Sequence, residues 1–171
     1  MISDAALALS FLIREARADD LESLYRLDQL CFEPGIAYTR RQMRLFLTRP
    51  GARSAVAEVG GQITGFAVGA LERGDVWGRG SARSARSLAR IVTLDVHPDH
   101  RRQGLGKALL AHLLARLREE GARESRLEVD VHNPGAIAFY EGLGFRTRGR
   151  LEDYYAPGRA ALEMGRTEPG E

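Results

Sequence analysis

The chain has 171 residues, with 25 Lys and Arg against 23 Asp and Glu for a formal net charge of +2. That balance excludes general polyanion binding, and the length suits one domain with a sizeable core. The only cysteine, Cys31, excludes an internal disulfide, while the stretch from Met1 to Leu12 has no basic leader and is broken by Asp4. No secretory signal or membrane span is expected, and the expected compartment is the cytoplasm.

Phe11 to Ala16 reads as a first strand, followed by Asp19 or Asp20 as N-cap of a helix with Leu21, Leu24, Leu27 and Cys31 on one side. Cys31 next to Phe32 reads as packing rather than as a reactive thiol. After a loop from Glu33 to Tyr38, Thr39 caps a second helix with Met43, Phe46 and Leu47 inward, ended by Pro50-Gly51. Strands from Ser54 to Val59 and Ile63 to Leu71 flank Gly60-Gly61, a hairpin signal. Between Arg73 and Ser87 the sequence is Gly, Ser, Ala and Arg with Trp77, and it reads as a mobile loop. Its surroundings hold Arg73, Arg79, Arg83, Arg86 and Arg90, read as solvated charge rather than a nucleic-acid surface.

A strand at 89–97 leads into a helix from Gly104 to Glu120, with Leu109, Leu113 and Leu117 on one face and Gly121 as its stop. A strand at 124–131, a helix at 134–143 capped by Asn133, and strands at 145–153 and 160–166 complete the chain. The order is βααβββαβαββ. Strands 89–97 and 124–131, joined by a helix, form a parallel pair in an otherwise antiparallel sheet. The expected class is therefore α/β of the α+β type, a mixed sheet of about seven strands flanked by helices, in one domain spanning 1–171 with its core at 11–166.

The segment Leu94-Asp95-Val96-His97-Pro98-Asp99-His100-Arg101-Arg102-Gln103-Gly104-Leu105-Gly106-Lys107 breaks a strand at proline and restarts as a helix through two glycines. Unpaired N–H groups at the positive end of the helix dipole make such a turn an anion site, and a diphosphate fits it. Lys107, the only lysine, is followed by Ala108 with no glycine five residues before Gly106, which excludes a P-loop. Leu109 stands where the dinucleotide fingerprint needs a third glycine.

What remains, Arg101-x-x-Gly104-x-Gly106, resembles the signature of the GNAT acetyltransferase superfamily. A second block, Asn133, Ala136, Phe139, Tyr140, Gly144 and Phe145, resembles that superfamily's Asn-x-x-Ala-x-x-aromatic-Tyr-x-x-x-Gly-Phe pattern in order and spacing. Within it the chain is most similar to the RimI-like N-terminal alanine acetyltransferases. The resemblance implies acetyl-CoA as cosubstrate, with Leu94 and Val96 amides on the pantetheine and thioester. It places Gln103, Gly104, Leu105, Gly106 and Lys107 on the diphosphate, Arg101 and Arg102 adding positive potential, and Asn133 near the pantetheine. The two strands of the parallel pair are expected to splay.

Acetyl transfer needs a proton for the leaving thiolate and a neutral amine. Tyr140 is the expected acid, because a phenol near ~10 stays protonated where a thiol near ~8.5 is leaving. By the same resemblance Glu128, five residues before Asn133, is the expected base, with Asp130, Asp95 or water as alternatives. Tyr154 and Tyr155 resemble the tyrosine loop that grips peptide backbones in protein N-terminal acetyltransferases. The expected acceptor is therefore the α-amine of a protein or peptide. A small amine, amino acid or antibiotic is the alternative, and a non-catalytic acetyl-CoA-binding module a further one. Two departures stand out: the long Arg73 to Ser87 segment, and Phe32-Glu33-Pro34-Gly35-Ile36-Ala37-Tyr38-Thr39, which is longer than the RimI-like turn and lacks its tryptophan. His97, His100, His112 and His132 form no metal-ligand pattern, and no metal is expected.

Overall fold

The computed structural model describes residues 10–72 and 87–169. Of the expected mobile loop, residues 73–86, with Trp77 and four of its arginines, lie outside the described residues. The fifth, Arg90, lies in the strand Leu88–Val96, where the strand at 89–97 is expected.

The elements are β1 (Leu12–Arg14), α1 (Leu21–Cys31), α2 (Arg40–Thr48), β2 (Ala52–Val59), β3 (Gln62–Glu72), β4 (Leu88–Val96), α3 (Leu105–Glu119), β5 (Glu124–Asp130), α4 (Pro134–Gly142), β6 (Arg146–Ala156) and β7 (Arg159–Thr167). They build a seven-stranded sheet in the order β1-β2-β3-β4-β5-β7-β6, with β4–β5 the parallel pair. The chain order and class match the expectation. β1 is shorter than expected, and Asp20 caps differently: its carboxylate takes the Arg17 N–H at 2.7 Å and pairs with Arg14, rather than capping α1. The Arg14 guanidinium also lies 2.6 Å from Glu58 on β2, so one network ties the edge strand to the start of the helix.

Both faces of the sheet are covered. α1 and α2 pack Leu24, Leu27 and Met43 against Val56, Phe66 and Val68, while the other face receives the leucines of α3 and Tyr140 and Phe145. Two-sided burial explains why β3 reads as a continuous apolar and small-residue run from Thr64 to Ala70 instead of alternating. Glycines let α3 approach β3 closely. A Cβ at Gly65 would sit 2.9 Å from a Leu109 methyl, and one at Gly69 would sit 2.8 Å from the Arg90 carbonyl and 3.2 Å from Leu113.

The hairpin turn at Gly60-Gly61 has φ of 57° and 79°, the left-handed pair that a two-residue turn demands. Thr39 caps α2 through Gln42 in a reciprocal box, and Asn133 caps α4 through the Ala136 N–H at 3.0 Å.

Candidate active site

Three register events shape the site. Strands β4 and β5 pair only from Leu88 to Arg90 against Glu124 to Arg126, whereas β5 continues against β7 as far as Asp130. Beyond Arg90 the two strands part, and the edge of β4 turns into a cleft. In the β3–β4 ladder Val68 faces Thr93 and Gly69 faces Ile91, so Val92 is an inserted residue. This bulge sends Leu94 and Val96 to the α3 face, where they pack on its core, and puts Asp95 next to α1. In the third event β6 leaves β7 between Leu151 and Ala156, with Asp153 at φ 53° and its carboxylate accepting the Gly158 N–H. The bulged stretch carries Tyr154 and Tyr155 out of the ladder.

At the end of β4 the chain makes a short turn over Pro98–His100 and enters α3 through Gly104, whose φ of 87° favours glycine. Gly104 offers no side-chain cap, in contrast to Thr39 and Asn133, so no side chain at the N-cap satisfies the amides of Leu105, Gly106 and Lys107. A Cβ on Gly106 would lie 3.5 Å from the Phe139 ring and 3.7 Å from Val96, between β4 and α4. Glycine there leaves the mouth of the cleft clear. This uncapped positive helix end fits a diphosphate. Arg101 turns back, its Nε donating to the Val96 carbonyl at 3.0 Å, and Gln103 donates to Asp99. Arg102 is exposed at φ 63°.

Tyr140 lies on α4 at 9% exposure, its ring edge-on to Phe139 at 5.2 Å and to Phe145 at 5.7 Å. Burial, with a smaller contribution from the Asp95 charge, pushes its phenol above the ordinary tyrosine range. It remains a proton donor at any physiological pH.

Glu128 of β5 sits beside Arg90 of β4, 3.2 Å away, and the same Arg90 nitrogen reaches the Tyr154 hydroxyl at 3.5 Å. Burial raises the Glu128 carboxyl above its usual range, with Arg90 opposing that rise. Tyr154 and Tyr155 stack edge-on at 4.9 Å, and Tyr154 is 43% exposed. Tyr38, which had no role in the sequence reading, joins this group: its hydroxyl donates to the Val92 carbonyl at 3.2 Å and its ring packs edge-on against Phe46. A tyrosine in a long loop gave no periodic signal. Its partner is the carbonyl of the residue inserted at the β4 bulge.

The alternative bases are differently placed. Asp130 accepts two N–H groups of Arg159, at 2.9 and 2.6 Å, and the His132 N–H, which together hold its carboxyl below the usual range despite burial. Asp95 is 1% exposed and accepts the Thr93 hydroxyl at 2.5 Å. Cys31 is half-buried; its thiol donates to the Val96 carbonyl at 3.4 Å and is pushed up to about 11 by burial, so it is a packing group. Among the described residues no group of three or more His, Cys, Asp or Glu side chains could hold a metal. No described helix is long and apolar enough to cross a membrane.

A model of the acetyltransferase (GNAT) family matches residues 21–145. An N-alpha-acetyltransferase of Saccharolobus solfataricus is 31% identical over 160 residues, covering 91% of this chain and 92% of that protein. The crystal structure of the ribosomal-protein-S18-alanine N-acetyltransferase from Escherichia coli superposes with a TM-score of 0.76 at 26% identity, covering 95% of this chain and 97% of that one. The fold is shared as well with Arabidopsis thaliana NAA60 in complex with a bisubstrate analogue, at a TM-score of 0.80, 21% identity and coverage of 94% and 100%.

Proposed function

The chain belongs to the acetyltransferase (GNAT) family, and from that premise we propose that it transfers the acetyl group of acetyl-CoA to the α-amino group of a protein or peptide. The observation that carries the acceptor class is the cluster beside the parted strands, where Glu128 and Arg90 meet two tyrosines thrown out of the β6–β7 ladder. A ring of phenols at Tyr38, Tyr154 and Tyr155 offers hydroxyls to peptide groups and flat apolar surface to a small first side chain. An isolated small amine has no backbone for such a ring to grip.

Bound acetyl-CoA would supply the acetyl group as a thioester, its thiol leaving as the amide forms. The uncapped amides of Leu105, Gly106 and Lys107 would hold its diphosphate, and the free edge of β4 at Leu94 and Val96 would orient the thioester. Glu128 is the base for the ammonium proton of the acceptor. An α-amine near ~8 needs little help, and a carboxylate raised by burial is a better base than a solvated one. Tyr140 is the acid for the departing thiolate, its proton secured by burial.

Mass spectrometry of free-α-amine peptides, incubated with the enzyme and acetyl-CoA beside a panel of polyamines, amino acids and aminoglycosides, tests this reading. Acetylation of the α-amine of peptides with a small first residue is expected. Turnover confined to the small amines would overturn it.

A further inference from the structure

Among the buried carboxyls that this chemistry leaves unused, the two least exposed are Asp28 of α1 and Asp95 of β4, at 0% and 1%. Asp28 Oδ2 accepts the Tyr38 N–H at 2.7 Å and the Gln29 amide at 3.3 Å, while Asp95 Oδ1 accepts the Thr93 hydroxyl. Asp28 Oδ1 and Asp95 Oδ2 receive no hydrogen bond from any described donor, and the two carboxyls adjoin across the α1–β4 contact. Two ionised carboxylates bring only acceptors to such a contact. In a dry interior they also repel, and one of them holds a proton in preference to both being charged.

We propose that Asp28 and Asp95 share one proton, and that this acid–carboxylate pair is a positioning unit that locks Tyr38 and the loop between α1 and α2 onto β4 beside the acceptor. The loop is fastened at two points of one residue: the Tyr38 N–H on Asp28 and the Tyr38 hydroxyl on the Val92 carbonyl. Loss of the proton would set two charges against each other across the α1–β4 contact that carries both fastenings. The titratable groups facing the pair are Cys31 from α1, Tyr38 from the loop, Arg101 from the segment before α3 and Tyr140 from α4. Of these only Arg101 is cationic, and it favours the charged form. Burial and mutual repulsion outweigh it and push the pair up. The thiol and the phenols are themselves raised by burial, so none of them competes as an acid.

The effect on the acceptor rests on the α-amine reading, whereas the shared proton does not. Infrared spectra of the full chain at pH 7 should therefore contain a protonated carboxylic-acid carbonyl band that disappears in Asp28→Asn and in Asp95→Asn and persists in Glu128→Gln. A band untouched by the first two substitutions overturns the proposal. Because the folded pair binds a proton that the unfolded chain releases in the ordinary carboxyl range, wild-type stability should fall as pH rises above that range, and Asp95→Asn should flatten this dependence. In peptide kinetics Asp95→Ala should raise KM on the order of tenfold with acetyl-CoA affinity unchanged. Asp95→Asn, whose amide donates to Asp28 in place of the proton, should recover most of that loss. Equal damage from Asn and Ala would overturn the positioning role. If Asp95→Ala does not fold, the spectra and pH-dependent stability of wild type and the Asn variants decide. Absence of peptide acetylation with the band intact would overturn the α-amine reading and leave the pair standing.

Discussion

The Arg90 guanidinium stands 3.2 Å from the Glu128 carboxylate at the last rung of the β4–β5 pairing, where the cleft begins. Burial is the largest influence on Glu128 and raises its pKa; the Arg90 charge is the next and lowers it. The ion pair thus holds the Glu128 carboxyl lower than burial alone would set it.

Removing the cation takes away the largest influence that opposes burial. In Arg90→Gln the Glu128 carboxyl should rise further, and the acidic limb of the kcat/KM profile should move to higher pH. A pH–rate series on a peptide acceptor measures this. Glu128→Gln should abolish the limb, and its survival would pass the role of base to a water.

Tyr140→Phe removes the hydroxyl and leaves the ring packed between Phe139 and Phe145. Turnover should drop by roughly 10²-fold while acetyl-CoA affinity stays near wild type. Stopped assays with calorimetry on the same sample separate the two. Wild-type turnover would make Tyr140 a core residue only.

The turn at Gly104 separates conformation from charge. At φ 87°, with open space around a built Cβ, asparagine is tolerated better than most residues, and aspartate has nearly the same shape. Gly104→Asn should keep most of the acetyl-CoA affinity, and Gly104→Asp should lose it, because a carboxylate would confront the diphosphate at the helix end. Equal affinities by calorimetry would remove the diphosphate from this helix end.

Tyr154→Ala deletes an exposed ring and a hydroxyl that Arg90 touches. The peptide KM should rise by roughly 5- to 150-fold, about 1–3 kcal/mol, with acetyl-CoA binding spared. A matched loss of acetyl-CoA affinity would show the tyrosine acting on the fold.

The Arg14–Asp20 pair makes a statement about stability. Its hydrogen bond to Arg14 and that to the Arg17 N–H hold the Asp20 carboxyl below its usual range against burial. A depressed carboxyl stabilises the fold above its unfolded pKa and loses that contribution as pH falls through the folded value. Urea unfolding should show Asp20→Asn less stable than wild type by about 1–3 kcal/mol at pH 7, the gap narrowing toward pH ~2. A constant gap would mean that packing, not charge, fixes Asp20.

What the sequence determined by itself is local. Turn chemistry at Gly60-Gly61, reciprocal capping at Thr39, the Asn133-Pro134 entry to α4 and the leucines of α3 each depend on residues within a few positions of one another, so period and cap suffice to read them. The glycine turn before α3 was legible for the same reason, and with it the family. The tertiary structure alone decided the rest. Pairing of β4 with β5 ends at Arg90 and β4 bulges at Val92, because strands far apart in the chain must satisfy their ladders together. That end point is what makes a strand arginine the partner of Glu128, and a loop tyrosine a donor to Val92. Asp28 and Asp95 are 67 residues apart in sequence numbering, and no period links them; only the packing of α1 against the bulged strand brings two carboxyls into one dry contact.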